Sequence, residues 1–374
     1  MRTKESESAM VSRRRFVSGM AGTLVGAWLA PSLLATDAAT TKGVRATVDD
    51  FVKANNFQGV IHLVRNQRVL LSEAFGMADV EAGRRATVDT LYPLASITKW
   101  IVSVTVLRLV DQGRLALNGS IVDYLTDYRP DTGARVKLKH LLSNSSGIPN
   151  GFTPLAKIDP GMWTKSYTTD EAIKAFCSGD LAFEPGSRFS YDLTNWILVK
   201  GIVERVTGKD FAAAIDTLSL APLGLEHVLP RYTEEARAQV AAGYASIEPP
   251  IRKMNPQLAY MVASGGYCGT ATDLVRAAEG VYGASFLSAA SREALSTILV
   301  PTQSYALGGR IRKIQVDGTP HDFAWETGRL DGYRSLLAHR LDGQTSLVLL
   351  NNTDLSQKTI DLFAEAMFAA TPQA

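Results

Sequence analysis

Apolar and polar positions follow two rhythms along this chain, one near each end and another between them. Residues 44–56 read as a helix, and the apolar runs Gln58–Val64 and Arg68–Phe75, on either side of Arg65-Asn66-Gln67, read as a hairpin. Near the other end, Tyr305–Val316, Phe323–Thr327, Arg334–Arg340 and Ser346–Asn351 are strand-like, with Asp342-Gly343 as a tight-turn signal. An amphipathic helix follows over roughly Ser356–Ala369, and the middle, roughly 95–300, reads as helical and is punctuated by Gly and Pro. Strands at both ends with helices between them predict an α/β plus all-α fold. One antiparallel sheet is built from both chain ends and flanked by helices, and a helical lobe is inserted in it. The expected division is 39–94 with 301–374 for the sheet lobe and 95–300 for the helical lobe. The site is expected in the cleft between them, where ligand sites often lie.

Residues 1–38 stand outside that division. Ser12-Arg13-Arg14-Arg15-Phe16-Val17 leads into an apolar stretch rich in Gly and Ala that runs to Ala30, and small residues follow Pro31. A charged start, a mildly apolar middle and a small-residue end form a secretory signal, here of twin-arginine form. It predicts a periplasmic or extracellular protein with no stable membrane span after cleavage. The alternative is an uncleaved anchor, for which the stretch is short.

Composition narrows the chemistry. With 374 residues, 46% of them hydrophobic, the chain can bury substantial cores, and a net charge of +2 without basic runs offers no nucleic-acid surface. Cys177 and Cys268 cannot build a disulfide scaffold, and export in folded form favours unpaired thiols. No C-x-x-C or His-rich cluster suggests a metal, and no cofactor is implied. The five histidines are scattered and read as structural.

Ser96-Ile97-Thr98-Lys99 opens a strongly apolar helix running to about Leu109, and a spacing of three puts the hydroxyl and the ammonium on one face. A serine hydroxyl is a poor nucleophile until a base takes its proton, and a lysine serves only when burial or a neighbouring cation lowers its pKa. A Ser-x-x-Lys alone arises by chance about once in a chain this long. No G-x-S-x-G elbow is present, and no histidine sits in a context that suggests a Ser-His-Asp triad.

Asp89-Thr90-Leu91-Tyr92-Pro93-Leu94-Ala95-Ser96-Ile97-Thr98-Lys99, followed by Leu109-Val110-Asp111-Gln112-Gly113-Arg114-Leu115, resembles the nucleophile segment of the serine β-lactamase-like family. That family comprises class C β-lactamases, DD-carboxypeptidases, D-amino-acid amidases and family VIII esterases. Leu138 to Pro149 is similar to its H-L-L-x-H-x-S-G-[IL]-P loop, and Phe189-Ser190-Tyr191 with Val206-Thr207-Gly208 to its tyrosine motif and following helix. Ala263-Ser264-Gly265-Gly266-Tyr267, with Thr270 to Leu274, resembles its later glycine-rich segment, and Trp325-Glu326-Thr327-Gly328 stands where the family has K-T-G or H-x-G. The resemblance spans nearly all of the chain after residue 38. It implies Ser96 as nucleophile, Lys99 as its base, Tyr191 as proton relay, and the backbone N–H groups of Ser96 and Arg329 as oxyanion hole.

Two departures bear on substrate. The usual Y-x-N is Tyr191-Asp192-Leu193 here, so Leu193 replaces a polar asparagine, with Asn195 as a weak substitute. Glu326 stands where carboxylate-recognising members carry Lys or His. Its charge would repel a substrate acid; it could instead attract an ammonium group, hydrogen-bond a hydroxyl, or pair with Arg329 or Arg334. With Thr327, Gly328 and Leu193 it is a candidate substrate contact. The expected substrate is a small-molecule or peptide ester or amide lacking a free carboxylate. The alternatives are a β-lactamase or DD-carboxypeptidase, an acyltransferase, and a penicillin-binding sensor that acylates without turnover.

Overall fold

A computed structural model describes residues 30–343 and 345–371. Most of the expected signal, including the arginines, therefore lies outside the described residues. Helix α1 (Ala30–Asn55) begins earlier than the sequence pattern suggests; among its described side chains the buried apolar ones, Val44, Val48 and Phe51, lie within the expected span. Strands β1 (Gly59–Arg65) and β2 (Arg68–Phe75) form the hairpin, turned by Asn66 and Gln67, both at positive φ. That conformation matches the twist of the strands on either side.

Between the chain ends lie short strands β3 (Tyr92–Pro93), β4 (Leu229–Pro230) and β5 (Tyr267–Gly269), and helices α2 (Ile97–Asp111), α3 (Leu193–Thr207) and α4 (Ala271–Tyr282), among shorter turns. The C-terminal part supplies β6 (Arg310–Val316), β7 (Thr319–Leu330), β8 (Tyr333–Arg340), β9 (Thr345–Asn351) and helix α5 (Gln357–Ala369). The six-stranded sheet runs β6-β7-β8-β9-β1-β2, antiparallel throughout. β1 pairs with β9 from Gly59 opposite Asn351 to Arg65 opposite Thr345, and this pairing closes one sheet from the two chain ends.

Alternation along the strands sends successive side chains to opposite faces. Ile61, Leu63, Phe323, Trp325, Leu347 and Leu349 pack beneath α1 and α5 with Phe51, Phe363 and Phe368. Val60, Leu337, Val348 and Leu350 face the other way and join the core of α2, α3 and α4. Helix α2 is buried at every position from Ile97 to Leu107. This explains why its sequence is apolar all round rather than amphipathic.

Some expectations need correction. Residues 305–309 are not strand; β6 begins at Arg310, after Gly308 and Gly309. The helical middle contains a hairpin, Gly243–Ile247 with Pro250–Lys253, besides the short strands β4 and β5. Asp342-Gly343 does lie in a turn, but Asp317-Gly318, with both residues at positive φ, carries the same signal between β6 and β7. Cys177 and Cys268 are free, buried thiols.

Candidate active site

The site is assembled at the start of α2. β3 pairs with β5, the Leu94 N–H donates to the Tyr267 carbonyl at 2.9 Å, and Ser335 Oγ of β8 donates to the Leu94 carbonyl at 2.9 Å. Both backbone groups of Leu94 are thereby held, and the next residue, Ala95, takes a left-handed φ of 48°. A non-glycine residue there stores strain, and here it turns the chain sharply into α2 just before Ser96. Gly328 of β7 makes room for this turn: a Cβ at that position would come within 2.2 Å of the Leu94 carbonyl oxygen and 2.0 Å of Ser335 Oγ.

Lys99 follows one helical turn later and is 1% exposed. Its Nζ donates to Ser96 Oγ at 3.1 Å and to the Ser264 carbonyl, and it lies 4.9 Å from the Tyr191 ring centre and 5.6 Å from that of Trp196. Tyr191, 44% exposed, places its hydroxyl 2.6 Å from Ser96 Oγ. The serine oxygen is thus gripped from two sides by groups that carry protons. When either is deprotonated it can take the serine proton, and the other remains as a donor. None of the five histidines lines this cleft.

Asn144 fixes the tyrosine segment, a role not visible in the sequence. It is buried at φ 53°, and its carbonyl oxygen accepts from Ser190 N at 2.8 Å. Its Oδ1 accepts from Asp192 N, Asn195 Nδ2 and Trp196 Nε1 at 3.3–3.4 Å, and its Nδ2 donates to Tyr305 Oη at 3.0 Å. The available signal was an asparagine in a loop, since Asn tolerates left-handed backbone. Asp192 caps α3 by accepting from Thr194 N at 2.9 Å. Tyr305, also unforeseen, packs edge-on to the Tyr191 ring with centroids 6.4 Å apart.

Asn195 does not take over the missing asparagine's role. Its Oδ1 accepts from Ser146 Oγ at 2.5 Å and its Nδ2 goes to Asn144, while Lys99 is held by the Ser264 carbonyl instead.

Two cavities meet at Ser96, Tyr191 and Arg329. One, of about 260 Å³, also exposes Lys99 and is mostly apolar, walled by Trp163, Leu193, Tyr232, Leu258, Met261 and Val262. The other, of about 360 Å³, is lined by Tyr305, Arg310, Glu326 and Thr327 among others. β6 covers β7 only as far as Trp325, opposite Arg310, so the β7 edge from Glu326 to Leu330 is open, with Arg329 on it beside Ser96.

Glu326 pairs with neither arginine considered above. Arg334 is occupied by the Leu330 and Tyr333 carbonyls and by Asp354 at 3.4 Å. Glu326 alternates with the outward-packed Trp325, faces the helical side, and lies against the backbone of Gly309. Burial pushes its carboxyl from an ordinary 4.5 up to about 8, with Arg310 opposing the rise. Near neutrality it is therefore mainly uncharged. The expected repulsion of a substrate acid by Glu326 is therefore largely absent near neutrality and sets in only above about pH 8, while Glu326 itself offers an acid no positive charge. A raised carboxyl pKa favours the fold fully below pH 4.5, and that contribution is lost as pH climbs to 8. Glu326→Gln should therefore stabilise the protein relative to wild type by an amount that grows from pH 5 to pH 8.5. The upper bound is on the order of 4 kcal/mol at about 1.4 kcal/mol per pH unit. Urea unfolding at pH 5, 7 and 9 measures it, and a pH-independent difference would contradict this origin.

Residues 44–370 match the family described as Beta-lactamase. Esterase EstB of Burkholderia gladioli is 32% identical over 293 residues, which make up 69% of this chain and 74% of that protein. Among solved structures, the octameric penicillin-binding protein homologue from Pyrococcus abyssi superposes with a TM-score of 0.71 at 24% identity, over 88% of this chain and 76% of the other. EstCE1, described as a hydrolase with promiscuous acyltransferase activity, gives 0.74 at 21% identity, over 89% and 100%.

Proposed function

Because the chain belongs to the Beta-lactamase family and is a serine hydrolase, we propose that it cleaves esters or amides through an acyl-enzyme on Ser96. The observation that carries this reading is the double grip on Ser96 Oγ by Lys99 Nζ and Tyr191 Oη at the junction of two cavities. Ser96 Oγ attacks the carbonyl carbon as its proton passes into the Lys99–Tyr191 pair. The oxyanion is received by the N–H groups of Ser96 and Arg329. Collapse breaks the bond to the leaving alcohol or amine, which takes a proton from Tyr191. Water, giving up a proton to the same pair, then releases the acid and restores the serine. An alcohol in place of that water would make the enzyme an acyltransferase.

Leu193 and its apolar neighbours favour an uncharged group beside the scissile bond, and the named activity of EstB agrees with an ester. A penicillin or a D-Ala-D-Ala end places a carboxylate where this chain offers a neutral Glu326 instead of a cation. A nitrophenyl butyrate should therefore show kcat/KM roughly tenfold or more above that of a penicillin, the factor set by one missing charge-assisted hydrogen bond. Steady-state kinetics on the pair tests this. Faster penicillin turnover would favour a β-lactamase, and acylation by penicillin without release would favour a sensor.

The proposal extends to export by the twin-arginine route to the periplasm or beyond, supported by the sequence from Ser12 to Ala30. No helix among the described residues is long and apolar enough to cross a membrane.

A further inference from the structure

Arg231 stands out among the basic residues near the site. It follows β4, and its N–H donates to the Gly266 carbonyl at 2.7 Å, which seats it at the wall of the apolar cavity. It is 6% exposed, its Nε is sealed from solvent without a hydrogen-bond partner, and among the described residues no hydrogen bond or ion pair holds its guanidinium. The groups nearest to it electrostatically are Tyr333 and Cys268, and burial pulls its pKa down. A buried cation without a counter-charge is costly, so its retention calls for a partner. The charged side chains that line this cavity are Lys99, Arg231 and Arg329, with no Asp or Glu among them.

We propose that the apolar cavity beside Ser96 receives a substrate chain whose far end carries a carboxylate, and that Arg231 binds that carboxylate. The proposal rests on the reading of Ser96 as an ester- or amide-cleaving centre. It puts the acid several bonds from the scissile carbonyl, away from the position where Glu326 stands in place of a cation. A guanidinium fork suits a carboxylate, and the apolar walls suit the methylene or aromatic spacer between the acid and the reacting carbonyl.

Matched esters test the proposal. On the acyl side the pair is 4-nitrophenyl hemiglutarate and 4-nitrophenyl valerate; on the leaving-group side it is 4-carboxyphenyl butyrate and phenyl butyrate. In one of the two pairs, wild type should favour the carboxylated member in kcat/KM by roughly tenfold or more, and the pair identifies which part of the substrate carries the acid. Arg231→Met should lower that ratio by a similar factor, Arg231→Lys should fall between, and added salt should shrink the preference. Preference for the neutral member in both pairs, or a ratio unchanged in Arg231→Met, would overturn the proposal. If Arg231→Met fails to fold, the wild-type ratios and the Arg231→Lys variant still decide it. If wild type turns over none of the four esters, the hydrolase reading of Ser96 fails separately. Calorimetric titration with valerate against valeramide, its neutral counterpart, then tests Arg231 by itself: selective valerate binding weakened in Arg231→Lys supports the site, and equal or absent binding of the two overturns it.

Discussion

Ser96→Ala should abolish hydrolysis of a nitrophenyl ester, with kcat falling by roughly four to six orders of magnitude, as when other serine hydrolases lose their nucleophile. No neighbouring hydroxyl can replace it. Ser264 lies in the same cavity, but its Oγ donates to the Met261 carbonyl at 2.7 Å and only its carbonyl meets Lys99. The fold should hardly notice the change. Ser96 is the N-cap residue of α2, yet its side chain makes no capping bond, so alanine forfeits little of the usual N-cap stabilisation. An inactive variant with an unaltered unfolding midpoint is the expected pairing. Activity above about 1% of wild type in a purified sample would point to another nucleophile.

Removing either proton carrier should cost less but still a great deal. Lys99→Met keeps the buried stem packed while deleting the ammonium, and Tyr191→Phe keeps the ring against Tyr305 and Phe189 while deleting the hydroxyl. Each should lower kcat by roughly two to four orders of magnitude, the range for losing a positioned acid or base. Both groups act on one oxygen, so the double variant should fall well short of the product of the two losses. Stopped-flow measurement of acylation and release in all three variants reads this directly. Fully multiplicative losses would mean that the two groups work in separate steps.

The parts of this architecture legible in the sequence depend on short-range pattern. Alternating apolar runs at both ends foretold a sheet shared by the chain ends, and the spacing of Ser96 and Lys99, with the ordered motifs around Tyr191, foretold their meeting. The rest depends on partners distant in sequence. Lys99 is held by a backbone carbonyl at Ser264, which no side-chain pattern can announce. Asn144 matters through four residues gathered by folding, and Arg231 through partners that folding does not bring. Glu326 was visible as a residue but not as a charge state. Its carboxyl is set by burial on the inner side of β7, which follows from sheet register and from the close approach of Gly309. The hairpin at 243–253 went unseen because its short strands lie inside a stretch with mostly helical signals.

One hydroxyl, Ser96 Oγ, is expected to become covalently acylated. The most direct measurement treats wild type and Ser96→Ala with a fluorophosphonate and follows intact mass and peptide maps. The expected result is a single adduct on the wild-type peptide containing Ser96, formed at the same rate as activity is lost, and no adduct on Ser96→Ala. An adduct on any other residue, or equal labelling of the two proteins, would contradict it.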